Sequence, residues 1–120
     1  MQLADDDPTL GLFQVLRDDG SADPANDPLL ESGTLRSMYE HMLRVRILDE
    51  RMMKRQRQGK IGFFGAITGQ EATPIAAGFC LKPQDWVFPA LRENAIMLVR
   101  GFPLEKWLAQ VYGNELDVLK

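Results

Sequence analysis

From Thr34 to Gln58 the chain has neither proline nor glycine, and Leu35, Met38, Met42, Val45, Asp49 and Met52 recur at spacings of three and four. At 3.6 residues per turn these positions share one face, which predicts a single helix of about seven turns. Ser32 or Thr34 is expected to cap its start by accepting a backbone N–H bond, while Arg55, Arg57 and the following Gly59 suit its end. Asp49 interrupts the apolar stripe. Arg46, Glu50 and Arg51 read as a solvated ladder of charges on the other faces, held by weak intrahelical pairs. The methionines of this helix read as packing.

Around the helix the pattern is broken more often. Residues 1–33 are rich in Asp, Pro and Gly and read as an arm, with one edge strand at Leu12–Leu16 closed by the turn Asp19-Gly20. Pro24, Asn26, Asp27 and Pro28 mark a linker, because proline fixes its own φ and restricts the residue before it. Gln58–Gly65 is too glycine-rich for a helix and too apolar for a free linker, so an ordered loop or strand is expected. Gln70–Leu81 reads as a short buried helix with Pro74 in its first turn. Lys82–Asp85 is a turn, Trp86-Val87-Phe88 a short buried strand ended by Pro89, and Arg92–Arg100 and Leu104–Tyr112 are helices stopped by Gly101 and Gly113. Such a set leaves large faces unburied, which suggests a truncated domain.

At 120 residues and 45% hydrophobic content, one small domain is expected. The 14 basic and 17 acidic residues nearly balance, so no overall field favours nucleic acid or an anionic membrane surface. The apolar-looking stretch Ile61–Thr68 is far short of the ~18 residues that cross a bilayer. Cys80 alone forms no intrachain disulfide and reads as a small buried hydrophobe. Asp5, Asp6 and Asp7 at the start are opposite in charge to a mitochondrial presequence, and no secretion-signal core follows, so a cytoplasmic location is expected.

Chemistry-bearing motifs are few. No metal-ligand cluster, nucleophile elbow, phosphate-binding glycine loop or dinucleotide fingerprint occurs. His41, the one histidine, reads as an exposed filler beside Glu40 and Arg44, without a positioned catalytic partner. Arg92 stands out. In the first turn of a helix it faces the positive end of the helix dipole, an unfavourable placement by ~0.3–1 kcal/mol unless an anion lies between them. With an anion present, its guanidinium and the free helical N–H groups would act as a diphosphate clamp. A local pair with Glu93 is the alternative.

Several blocks then carry a family resemblance. Met38-Tyr39 with Asp49-Glu50-Arg51, Gln56–Phe63, Gly69-Gln70-Glu71-Ala72, Asp85–Pro89 with Arg92-Glu93, and Arg100–Glu105 resemble, in order and spacing, the opening of 2-oxo acid dehydrogenase alpha subunits. The match covers roughly residues 34–120. Tyr112-Gly113-Asn114 points to the bacterial branched-chain type, and Gly69–Ala72 is equally similar to pyruvate dehydrogenase. The resemblance implies an α/β fold class, with this chain as the mostly helical amino-terminal part of a thiamine-diphosphate-binding domain, cut short. Residues 34–120 would be an incomplete portion of that domain, and 1–33 its arm.

The resemblance also implies chemistry. Family members form an α2β2 heterotetramer with thiamine diphosphate between the alpha and beta subunits. They decarboxylate a 2-oxo acid and pass the acyl group to lipoamide on a separate acyltransferase. Arg92 matches the family arginine that binds the cofactor's diphosphate, and Leu91 takes the place of the usual cofactor-contacting tyrosine. Phe63 matches a phenylalanine lining the acyl pocket, with core packing as the alternative. The family's magnesium and diphosphate motif is expected beyond Lys120, and its activating glutamate lies on the beta subunit. The chain is therefore expected to be inactive alone. A non-catalytic helical interaction module that retained this surface is the other reading.

Overall fold

The structure, a computed structural model, describes residues 13–117. The chain divides into two compact units, Met1–Glu31 and Ser32–Lys120. In the first, one isolated antiparallel bridge joins Leu16 to Ala22 across a tight turn. The Asp19 carboxylate accepts bonds from the Ser21 N–H (2.8 Å) and hydroxyl (2.6 Å), an aspartate turn of ordinary kind. The expected strand Leu12–Leu16 is thus reduced to a single bridge at Leu16, with Leu12 outside the described residues. A short lone hairpin cannot sustain a ladder.

The second unit is helical. Four helices, α1 (Ser32–Arg57), α2 (Ala72–Cys80), α3 (Ala95–Val99) and α4 (Leu104–Tyr112), are found among its described residues. Ser32 and Thr34, expected as caps, both lie inside α1. Its other end follows expectation. Lys54, Arg55 and Arg57 occupy the last turn, and Gly59 at φ 68° lets its N–H reach the Gln56 carbonyl (2.9 Å) while Lys60 N–H reaches Arg55 (3.0 Å). The same paired closure ends α3 at Gly101 and α4 at Gly113.

Two apolar clusters lie beneath α1. Val45 joins Ile67, Ile75 and Ala95 in one, with Met38 and Met42 packed against it. Met52 joins Ile61, Phe64 and Trp107 in the other, with Met53 alongside, so the methionines do serve packing. The Trp107 and Phe64 rings meet edge to face at 6.0 Å. Gly78 lets α2 approach α3: a Cβ there would stand 2.9 Å from the Cβ of Val99.

Three expectations need correction. Trp86-Val87-Phe88 forms no strand, because no described segment offers it a ladder. Instead of being buried, Trp86 and Phe88 stack on each other in the open, rings 6.3 Å apart. The described part of the chain is mostly helical, as expected for the amino-terminal part of such a domain. The helix expected from Arg92 starts only at Ala95, because Glu93 and Asn94 are spent in a tight turn whose carbonyls accept from Ile96 and Met97 (both 3.0 Å). Cys80, at the last position of α2, is exposed and not core.

Candidate functional site

The segment between α1 and α2 carries Phe63, and two buried carboxylates hold it. Asp49 is 2% exposed, and its Oδ2 accepts three bonds: from the N–H of Ile67 (2.7 Å), the N–H of Thr68 (2.7 Å) and the Thr68 hydroxyl (2.8 Å). The break in the apolar stripe is therefore a tether from helix to loop. Glu71, 6% exposed, pairs with Arg46 and accepts the Gly69 N–H (2.9 Å) through its other oxygen. Arg46 thus leaves the expected solvated ladder. The Arg46 guanidinium holds the Glu71 carboxyl below the usual carboxylate range against the opposing effect of burial, with the Gly69 N–H assisting.

This scaffold presents Phe63 and Phe64 in opposite senses. Phe64 enters the core, whereas Phe63 is 68% exposed and does not pack into the core of the described residues. Both border a cavity of about 360 Å³ whose walls include Gly65, Leu91, Trp107 and Val111. Leu91 closes tightly over Gly65, where a Cβ would stand 2.8 Å from its Cγ. Phe63 and Leu91, two of the residues singled out by sequence, are brought together here. Arg92, the third, follows Leu91 directly but is not among the lining residues.

Arg92 lies before α3, not in its first turn, so the dipole argument for an anion there does not hold. The pair with Glu93 does not form either: the Glu93 carboxylate accepts the Arg92 backbone N–H (3.3 Å), and the exposed guanidinium has no partner among the described residues. A free guanidinium one residue past the cavity wall suits an anionic group. One cation does not make a complete diphosphate site. No cluster of three or more His, Cys, Asp or Glu able to hold a metal occurs among the described residues, so these residues alone do not fit magnesium.

Sequence reasoning missed other contributors. Arg100 donates to the carbonyls of Lys82 (3.0 Å), Pro83 (2.9 Å) and Asp85 (3.1 Å), which pins the turn leading toward Leu91 and Arg92. Its place just before Gly101 was the only local signal. His41 is half-buried, not an exposed filler: its Nδ1 lies 2.8 Å from the Ser37 carbonyl and its ring meets Phe79 edge to face at 5.7 Å. That is a packing role. No helix among the described residues is long and apolar enough to cross a membrane.

Residues 39–120 match the family model described as the dehydrogenase E1 component, and the chain belongs to that family. Within it, the chain is similar to alpha subunits of 2-oxoisovalerate dehydrogenase. The mitochondrial protein of Caenorhabditis elegans is 34% identical over 98% of this chain and 27% of its own length. The Pseudomonas aeruginosa subunit is 39% identical over 91% of this chain and 27% of its own, and an Arabidopsis thaliana mitochondrial subunit 39% over 88% and 22%. The chain thus spans about a quarter of the length of these relatives. The expectation of a cytoplasmic location is overturned, since the eukaryotic relatives are named mitochondrial while the bacterial one carries no such label. An acidic start does not decide the compartment.

Proposed function

We propose that this chain is part of the alpha subunit of a 2-oxo acid dehydrogenase that acts on branched-chain 2-oxo acids with thiamine diphosphate. The observation that carries the reading is the meeting of Phe63 and Leu91 on one cavity immediately before Arg92, whose guanidinium has no partner among the described residues. The names of the relatives support the substrate class. When bound, thiamine diphosphate supplies the carbon nucleophile and the electron sink for decarboxylation. Arg92 would neutralise its diphosphate through a charge-assisted fork. Phe63 and Leu91 would form an apolar wall for the branched tail and exclude water. Leu91 offers no hydroxyl, so it contributes shape only.

On this reading residues 1–33 are an arm and 34–120 an amino-terminal portion of the cofactor-binding domain. The chain works in an α2β2 assembly with a beta subunit and hands the acyl group to lipoamide on an acyltransferase. Magnesium ligands come from outside the described residues, and the chain by itself is inactive. The test is Arg92→Ala in the assembled enzyme. Loss of a charge-assisted bond worth roughly 1.5–3 kcal/mol raises the thiamine diphosphate needed for half-maximal activity about ten- to a hundred-fold. Arg92→Lys recovers part of this, because the ammonium keeps the charge and loses the fork. Unchanged cofactor dependence in a folded Arg92→Ala enzyme removes the assignment.

A further inference from the structure

Gly65 serves space and not backbone freedom. Gly59 and Gly69, on either side of it along the loop, take positive φ (68° and 91°), whereas Gly65 does not, so its backbone conformation is open to residues with a side chain. At Gly62 a Cβ would meet nothing within 4 Å. At Gly65 it would meet Leu91 three times, with Cγ at 2.8 Å, Cδ1 at 2.9 Å and Cδ2 at 3.4 Å, all inside the ~3.5–4.0 Å at which carbon atoms touch. The whole branched end of Leu91 therefore lies on the bare face of residue 65. Its main chain is held too, because the Asn94 amide donates to the Leu91 carbonyl (3.3 Å). A side chain at position 65 would thus have to turn the end of Leu91 aside.

Both residues line the cavity of about 360 Å³ that Phe63 borders, so an added methyl and the leucine it displaces take room from the same space. The opposite wall cannot retreat: Phe64 and Trp107 are 8% and 4% exposed and locked edge to face at 6.0 Å. No charged residue lines the cavity, which suits a tail without a second charge. We infer that Gly65 is a specificity-determining residue, which by seating Leu91 against the loop sets the room left for an uncharged, branched tail. This rests on the reading of the cavity as the place of the substrate's tail. The contact itself lies wholly between residues 65 and 91 of this chain and is present whatever else adjoins the cavity.

The test uses the assembled enzyme and compares kcat/KM for 4-methyl-2-oxopentanoate with that for pyruvate, whose methyl is too short to reach the wall. Gly65→Ala is expected to lower this ratio about tenfold, the scale of one methylene in a closed pocket. Adding Leu91→Ala to it is expected to restore most of the loss, because the alanine methyl then stands where the leucine end lay, and touching residues do not act additively. 4-Methylpentanoate, which has the same tail and no oxo group to react, is expected to bind Gly65→Ala about tenfold more weakly by calorimetry. If Gly65→Ala fails to fold, Leu91→Ala alone decides: opening the same wall should raise kcat/KM for the longer 2-oxooctanoate at least about fivefold relative to 4-methyl-2-oxopentanoate. An unmoved ratio, equal losses for both substrates, or unchanged affinity for 4-methylpentanoate overturns the inference and leaves the dehydrogenase reading standing. A wild-type enzyme that turns over no 2-oxo acid, or does so without thiamine diphosphate, removes that reading and the inference with it.

Discussion

The Asp49 carboxylate accepts both the N–H and the hydroxyl of Thr68, at 2.7 and 2.8 Å, from nineteen positions earlier in the chain. This pairing fastens the Phe63 loop to the middle of α1. A charged group at 2% exposure is tolerated because three donors replace the water it has lost. Asp49→Ala leaves two backbone N–H groups without their acceptor and should cost about 2–4 kcal/mol, from the price of unmade buried bonds. Asp49→Asn keeps one acceptor oxygen and should cost less. Urea unfolding followed by circular dichroism measures both, and a change below about 0.5 kcal/mol for Asp49→Ala would show that the tether is idle.

Acid should loosen the same loop through Glu71. Its folded carboxyl is held below the ordinary value chiefly by Arg46, so in that window the unfolded chain binds the proton more readily than the folded one. The stability contributed is therefore complete above about pH 4.3 and is lost as pH falls through the folded value. Arg46→Ala should lower stability at neutral pH and flatten the acid-side loss. Asp19 and Asp23, also held low by neighbouring hydrogen bonds in the first unit, keep their own share in that variant. Urea midpoints on either side of the window, with and without Arg46, provide the comparison, and parallel curves would contradict the assignment.

Gly78→Ala sets two effects against each other. Alanine gains roughly 1 kcal/mol of helix propensity in α2. The added Cβ would sit 2.9 Å from both Cβ and Cγ1 of Val99, an overpacking that typically costs about 1–3 kcal/mol. Net destabilisation is expected, and Val99→Ala in the same chain should restore part of it. A thermal midpoint that rises for the single variant would mean that α2 and α3 can move apart at little cost.

Phe63→Ala in the assembled enzyme should leave folding nearly intact, since the ring is largely exposed in this chain. Its kcat/KM should fall more for a branched 2-oxo acid than for pyruvate, because a lost apolar wall removes more contact from the larger tail, on the order of 1–3 kcal/mol. Equal losses for the two substrates would detach Phe63 from the acyl pocket.

What the sequence determined by itself is the local architecture of the helices. The run without proline or glycine from Thr34 made all of α1 after Gly33, and Gly59, Gly101 and Gly113 ended three helices, because a glycine with positive φ closes the last turn whatever surrounds it. The family was legible for a similar reason: its blocks are contiguous stretches whose order survives without coordinates. Tertiary structure alone decided which polar groups are buried and which apolar ones are not. Nothing within a few residues of Asp49 announces the donors of Ile67 and Thr68, nor does Arg46 announce Glu71. Phe63 and Phe64 are chemically identical neighbours, and only the packing of Phe64 against Trp107 sends one inward and leaves the other at the cavity mouth. Trp86-Val87-Phe88 has the composition of a strand and no ladder among the described residues, because a strand is a property of two segments and not of one.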